Sequence, residues 1–295
     1  MSFLDKIHAC NRWNPADFLP LWLNGERIGS LRPSAADQLR RWPDQFDVTP
    51  DAVDWHGAPT DGAGRTVVLA ELVECLVVDG VISHRHGELY PVTASTREQT
   101  RCLVDRAAAP FFGMRAFGQH VNGFVRTMHG IEMWIGRRAA DRRHYPACLD
   151  HLVAGGLPAT LSLADNLRKE CAEEAGIRPD LADRAVAVGA VTYCHDSVRG
   201  LKPDVMYCYD LELPEDFEPR CTDGEVERFD RLPVAEVREL VRDTGAFKLN
   251  CNLVIIDFLI RHGLIPQEDP DYLTLIRGLH APLPESGNDA RSLSK

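Results

Sequence analysis

The chain has 295 residues, 44% of them hydrophobic and 26% charged, and a formal net charge of −11. That composition supports one large core or two ordinary ones, excludes a disordered or fibrous chain, and argues against a grip on nucleic-acid backbone. Nine cysteines, none in C-x-x-C spacing, imply neither a disulfide framework nor a zinc knuckle, and scattered thiols fit a reducing compartment.

The opening "MSFLDKIHACNRW" lacks the apolar centre of a secretion signal. The apolar run "CNLVIIDFLI" is too short to cross a membrane and carries Asp257. Both features predict a cytoplasmic protein with no membrane partner. In "LPLWLNGERIGSL", Asn24-Gly25 between two apolar runs predicts a two-residue hairpin. "SAADQLRRW" predicts a helix capped by Ser34, and "RTVVLAELVECLVVDG" a second one stopped by Gly80. "ELYPVT" reads as a strand, and "STREQTRCLVDRAAAPFFG" as a helix broken at Pro110. These elements form a small α/β unit over residues 1–110.

From residue 111 strands gather around one acidic helix. "GQHVNGFVRT" and "IEMWIGRR" flank the turn "MHG", and "AVAVGAVTYCHDS", "DVMYCYDLELP" and "VERFDRLPV" follow the helix "LADNLRKECAEEAG". The helices "VAEVRELVRD" and "NCNLVIIDFLIRHG" complete an α+β unit over 111–285, and 286–295 is a polar tail. Trp22, Trp42 and Trp134 are expected in cores.

In the acidic helix Ser162 is an N-cap, Asp165 completes a capping box with the shorter acid, and Gly176 ends it. Leu163, Leu167 and Cys171 form an apolar stripe. Glu170, Glu173 and Glu174 share a face bordering that stripe. Crowded, half-buried carboxylates repel unless a cation or donors satisfy them. Two explanations stand: a hard dication such as Mg2+, or a surface helix whose glutamates pair with Lys169 or Arg178.

The stretch from Gly155 to Ile177 resembles the Nudix box, G-x5-E-x7-R-E-U-x-E-E-x-G-U, where U is aliphatic. Gly155, Glu170, Glu173, Glu174, Gly176 and Ile177 match it; Leu161, Lys169 and Cys171 replace the first glutamate, the arginine and an aliphatic residue. The resemblance implies a Nudix fold, a mixed sheet sandwiched between helices, here preceded by the small N-terminal α/β domain. It implies a hydrolase whose Mg2+ (Mn2+ being the alternative) is held by Glu170, Glu173 and Glu174, with a carbonyl of Ala154 or Gly155. "FLPLWLNGERIGSLRP", "DGEVERFDRLPVAEV" and "NCNLVIIDFLIRHGLI" are similar to one Nudix subgroup that includes the Nudix part of thiamine pyrophosphokinase-like fusions. For those fusions the implied reaction is hydrolysis of oxidised thiamine diphosphates to monophosphates. Two other readings stay open: a pyrophosphatase of nucleoside diphosphate derivatives, and a Nudix module that senses a nucleotide without cleaving it.

Glu225 and Glu227 alternate to one side of an extended "DGEVERF", and Glu225 is the expected general base. Arg137, ending a strand, and Tyr193 and His195, on a later one, are the candidate substrate contacts. The N-terminal domain has three open roles: closing over the substrate, pairing two copies as a homodimer, or stabilising its neighbour.

Overall fold

The computed structural model describes residues 1–284, so the tail expected at 286–295 lies outside the described residues. Helix α1 (Phe3–Cys10) is closed at its start by a capping box between Ser2 and Asp5. Strands β1 (Leu19–Leu23) and β2 (Glu26–Leu31) form the expected hairpin. Asn24 and Gly25 turn it with φ of 52° and 82°, the left-handed pair such a turn needs. Helix α2 (Pro33–Leu39) follows, and its N-cap is Arg32 rather than Ser34. Proline's fixed φ starts the helix a residue before the serine.

Strands β3 (Asp47–Val48) and β4 (Val53–Asp54) complete a four-stranded sheet in the order β2-β1-β4-β3. Asp61 caps helix α3 (Gly62–Val78) by accepting from the Gly64 N–H at 2.8 Å, and Gly80, at φ 71°, ends its run. Strand β5 (Leu89–Val92) pairs with β6 (Cys102–Asp105), inside the stretch read as a helix. Buried Cys102 and Val104 commit that stretch to an extended form. Pro110 does not break a helix; it sits in the first turn of a short one, α4 (Ala109–Phe112). One apolar core gathers these elements, with Trp55 and Phe112 almost wholly buried. Trp42 packs on this core at partial exposure.

The second unit is built on a mixed sheet. Its elements are β7 (Ala116–Thr127), β8 (Gly130–Arg138), β9 (Leu149–Asp150), β10 (Val153–Gly156), α5 (Leu163–Ala175), α6 (Pro179–Ala182), β11 (Val186–Ser197), β12 (Gly200–Glu212), β13 (Val226–Pro233), α7 (Val234–Asp243), α8 (Cys251–Arg261) and α9 (Tyr272–Leu279). The strand order is β11-β12-β7-β8-β13, with β10 on β7 and β9 on β8; β12 and β7 run parallel.

Alternation along β12 divides the side chains between two layers. Met206 and Cys208 join α7, α8 and α9 on one side; Tyr209 and Leu211 join α5 on the other. This is the sandwiched sheet expected from the sequence. Trp134 packs on the α5 side at partial exposure. Helix α1 does not join the N-terminal core: Phe3, Ile7 and Cys10 belong to the layer of α8 and α9.

Candidate functional site

Helix α5 is placed by its ends and its apolar side. Ser162 Oγ accepts from the Asp165 N–H at 3.0 Å, and Gly176 takes the left-handed conformation (φ 64°) that closes the C-terminus. Leu167, Cys171 and Ala175 are buried against the sheet. That seating carries Glu170 and Glu174, 8% and 7% exposed, to strand β10. Glu174 Oε2 accepts from the Ala154 N–H at 2.7 Å. Glu170 rests where a side chain on Gly155 would stand, since a Cβ there would lie 2.3 Å from its Cδ. Glycine at 155 is what lets the carboxylate approach.

Glu173 turns outward, its side chain 47% exposed. Lys169 Nζ lies 2.9 Å from Glu173 and 3.1 Å from Glu170, so it bridges two of the three acids; Arg178 pairs with Asp180 instead. Glu174 is left with one backbone N–H, and burial pushes its carboxyl up to about 8. Burial raises Glu170 as well, against the pull of Lys169. Two buried carboxylates beside the backbone of Ala154 and Gly155 form an all-oxygen donor set. That set fits a hard dication.

Ala154, Gly155 and Gly156 also floor a cavity of about 570 Å3 between the two units. Seven Arg or Lys line it (Arg106, Arg138, Arg142, Arg143, Arg199, Lys202 and Lys248) against four acids (Asp141, Asp204, Asp223 and Glu225). An acidic chain has thus concentrated positive charge in one hollow, which favours an anionic ligand. The Arg143 and Arg199 guanidinium groups make no hydrogen bond or ion pair among the described residues.

The structure places the other expected residues unevenly. Glu225 lines the cavity, held 2.7 Å from Arg142. Tyr193 lines it too, its hydroxyl donating to Asp204 at 2.7 Å. Arg137 does not: it donates to the Ala147 carbonyl at 3.0 Å, and the alternation of β8 turns Arg138 to the cavity in its place. His195 lies outside the lining as well, with Lys202, Arg12 and the Ala9 backbone around its ring.

A second group of donors has no counterpart in the sequence reading. His120, Asp150, His151 and Cys251 are all buried, and each offers an atom within 4.8 Å of the others. The two imidazoles meet Nδ1 to Nδ1 at 3.0 Å. Burial pushes both rings down, His151 to about 4, so both are neutral and one donates to the other. Burial acts to raise Asp150, but Lys248 at 3.1 Å and Arg138 at 2.8 Å outweigh it and hold the carboxyl below its usual range. Cys251 donates to Asp150 at 2.7 Å, and burial keeps its thiol protonated. A dication here would enter against two fixed positive charges. The acid pair on α5 is the better home for a hard ion; this cluster has already settled its charge.

Comparison with known proteins follows the same division of the chain. A domain of unknown function, DUF4743, matches residues 2–116, and the NUDIX domain matches residues 117–250. Nudix hydrolase 20 of Arabidopsis thaliana, a chloroplastic protein, is 43% identical over 292 residues, covering 94% of this chain and 77% of its own length. The chloroplastic Nudix hydrolase 24 of the same plant is 43% identical over 282 residues, with the same coverage. The solved NUDIX domain of Shewanella oneidensis NrtR, complexed with ADP ribose, is 15% identical with a TM-score of 0.41, covering 51% of this chain and 90% of its own. The chloroplastic relatives overturn the expected cytoplasmic location. A missing apolar signal speaks only to secretion, because organellar transit peptides are Ser- and Arg-rich rather than apolar. Among the described residues no helix is long and apolar enough to cross a membrane.

Proposed function

This chain belongs to the Nudix hydrolase family, whose members act on diphosphate bonds, and from that premise we propose that it uses Mg2+ to hydrolyse a small organic diphosphate. One observation carries the reading: two buried carboxylates, Glu170 and Glu174, are fixed to the strand that floors a basic cavity. When bound, the dication neutralises phosphate oxygens and activates the attacking water.

The chain's own groups supply the rest. Glu170 and Glu174 would hold the ion with a backbone oxygen of Ala154 or Gly155, and Glu173, now paired with Lys169, would be the third acid. The unpaired Arg143 and Arg199 draw the diphosphate into the hollow. Glu225, oriented by Arg142, takes the proton from the attacking water. Tyr193, tied to Asp204, walls the cavity beside the organic part.

Oxidised thiamine diphosphate, cleaved to the monophosphate, is the first candidate substrate and rests on the flanking motifs alone. A nucleoside diphosphate derivative is the second. Lys169, neutralising two of the three acids, is the observation that favours a ligand sensor instead. A panel of oxidised thiamine diphosphates, nucleotide sugars and dinucleotides, assayed with Mg2+ for monophosphate release, separates the three. Release from one class names the substrate; binding without release from any class supports the sensor and ends the hydrolase reading.

A further inference from the structure

We infer that the N-terminal domain builds part of the substrate site, with Tyr90 and Arg106 forming a phosphate clamp over Gly156. The inference rests on the proposed diphosphate chemistry and assigns a role to a domain that has none. Tyr90 lies on β5 and Arg106 directly follows β6, so one hairpin carries both. Both line the cavity and stand against Gly156: a Cβ on that glycine would lie 2.2 Å from the Tyr90 hydroxyl and 2.9 Å from Arg106 Cζ. The neighbouring Gly155 bears the Glu170 carboxylate. Successive residues of an extended strand face opposite ways, so the clamp and Glu170 approach β10 from its two sides, at adjacent residues.

The donors are free for a ligand. Tyr90 is only 5% exposed, yet its hydroxyl makes no hydrogen bond among the described residues. It lines the cavity, where a ligand's acceptor can pair with it. Arg106 gives Nη1 to Glu88 at 2.7 Å, which leaves Nε and Nη2 unbonded among the described residues. A hydroxyl and a guanidinium that both line the cavity beside Gly156, close enough to Glu170 to feel its charge, suit the non-bridging oxygens of a phosphate.

The hairpin is also held rigidly. The Asp105 carboxylate accepts from the N–H groups of His86, Gly87 and Ala107 at 3.0, 2.9 and 2.8 Å, fixing the turn on which Arg106 sits. The Leu89 carbonyl accepts from the Ala159 N–H at 2.8 Å. Arg97 donates to the carbonyls of Pro158 and Leu161, in the loop that leads into α5. Donors preset in this way lose little on binding.

The test is calorimetric titration of the full chain, with Mg2+ present, by methylenediphosphonate, a diphosphate that cannot be hydrolysed. Arg106→Gln is expected to weaken binding about tenfold or more. Tyr90→Phe, which keeps the ring, weakens it about threefold. Mn2+ affinity, read by electron paramagnetic resonance, stays at the wild-type value in both. Undiminished diphosphonate affinity in the variants, a matching loss of Mn2+ affinity, or no binding by the wild type overturns the clamp. If Arg106→Gln does not fold, Tyr90→Phe decides alone. A wild type that binds diphosphonate through these residues but releases no monophosphate removes the hydrolase reading and leaves the clamp standing. Turnover with KM unchanged in Tyr90→Phe does the reverse.

Discussion

Asp150 and Glu174 are both buried carboxylates, one ending β9 and the other lying against β10, and their surroundings push them in opposite directions. Asp150 is met by Arg138, Lys248, the Cys251 thiol and the His151 N–H, and stays ionised. Glu174 is met by the Ala154 N–H and sits near Glu170, and burial drives it up to about 8. The same cost of burial is answered from within the chain at one position and left for a ligand at the other. A carboxylate with its counter-charge built in is architecture; one without it is where the proposed cation would supply the missing charge.

The contrast can be broken first at Glu174. Glu174→Gln is expected to cut Mg2+-dependent turnover roughly a thousandfold while the chain stays folded, as preorganised charge at a reaction centre commonly contributes on that order. Turnover within tenfold of wild type would remove Glu174 from the ion site. Asp150→Asn attacks the other member of the pair. It leaves Arg138 and Lys248 buried without their anion and is expected to cost about 3–5 kcal/mol in urea unfolding. Glu174→Gln in the same metal-free experiment at pH 8 costs nothing or stabilises, because it deletes an uncompensated charge. Equal losses in the two variants would erase the distinction.

Acidity sharpens it further. The Glu174 carboxyl moves from an ordinary 4.5 to about 8, so between those values the folded chain keeps a proton that the unfolded chain has lost. Stability of the metal-free protein therefore falls as pH rises across that window. The same proton must leave before an ion binds, so Mn2+ affinity rises with pH, by up to about tenfold per unit, and levels off above about 8. Glu174→Gln abolishes this slope, and a slope that survives in the variant assigns it to another group. The smallest effect belongs to Arg97→Ala, which frees the loop carbonyls of Pro158 and Leu161. It should lower stability by about 1 kcal/mol and raise proteolysis of that loop. Unchanged cleavage would show that the loop holds without the N-terminal domain.

The acidic helix, its two ends and the long strands were legible because their signals are local: a capping serine, a closing glycine, and alternation along one stretch. Cys102–Asp105 was not, because its extended form depends on pairing with β5, ten residues upstream, and on burial that a window around "RCLVDR" does not contain. Ser34 lost its capping place to the proline before it. The cluster of His120, Asp150, His151 and Cys251 left no spacing to read, since it forms only when two strands, the turn after the second and a helix meet. The candidate site was half visible: the box marked the acids that lie along β10, but the opposite wall comes from the other domain. Arg137 and Arg138 are neighbours on one strand and differ in the face they take, which packing decides and a local stretch of sequence does not show.

Helix α1 places Phe3, Ile7 and Cys10 in the interior of the hydrolase unit, and Ile7 sits so close to α9 that a methyl on Gly278 would come within 2.2 Å of it. This segment thus finds its seat only after α8 and α9, far later in the chain, have been made, and until then its apolar side needs shelter. Genetic exchange at the junction between the two matched regions would not swap a self-sufficient cassette. A fragment beginning at residue 117 is born with a gap in its interior, and the two halves are bound to descend together.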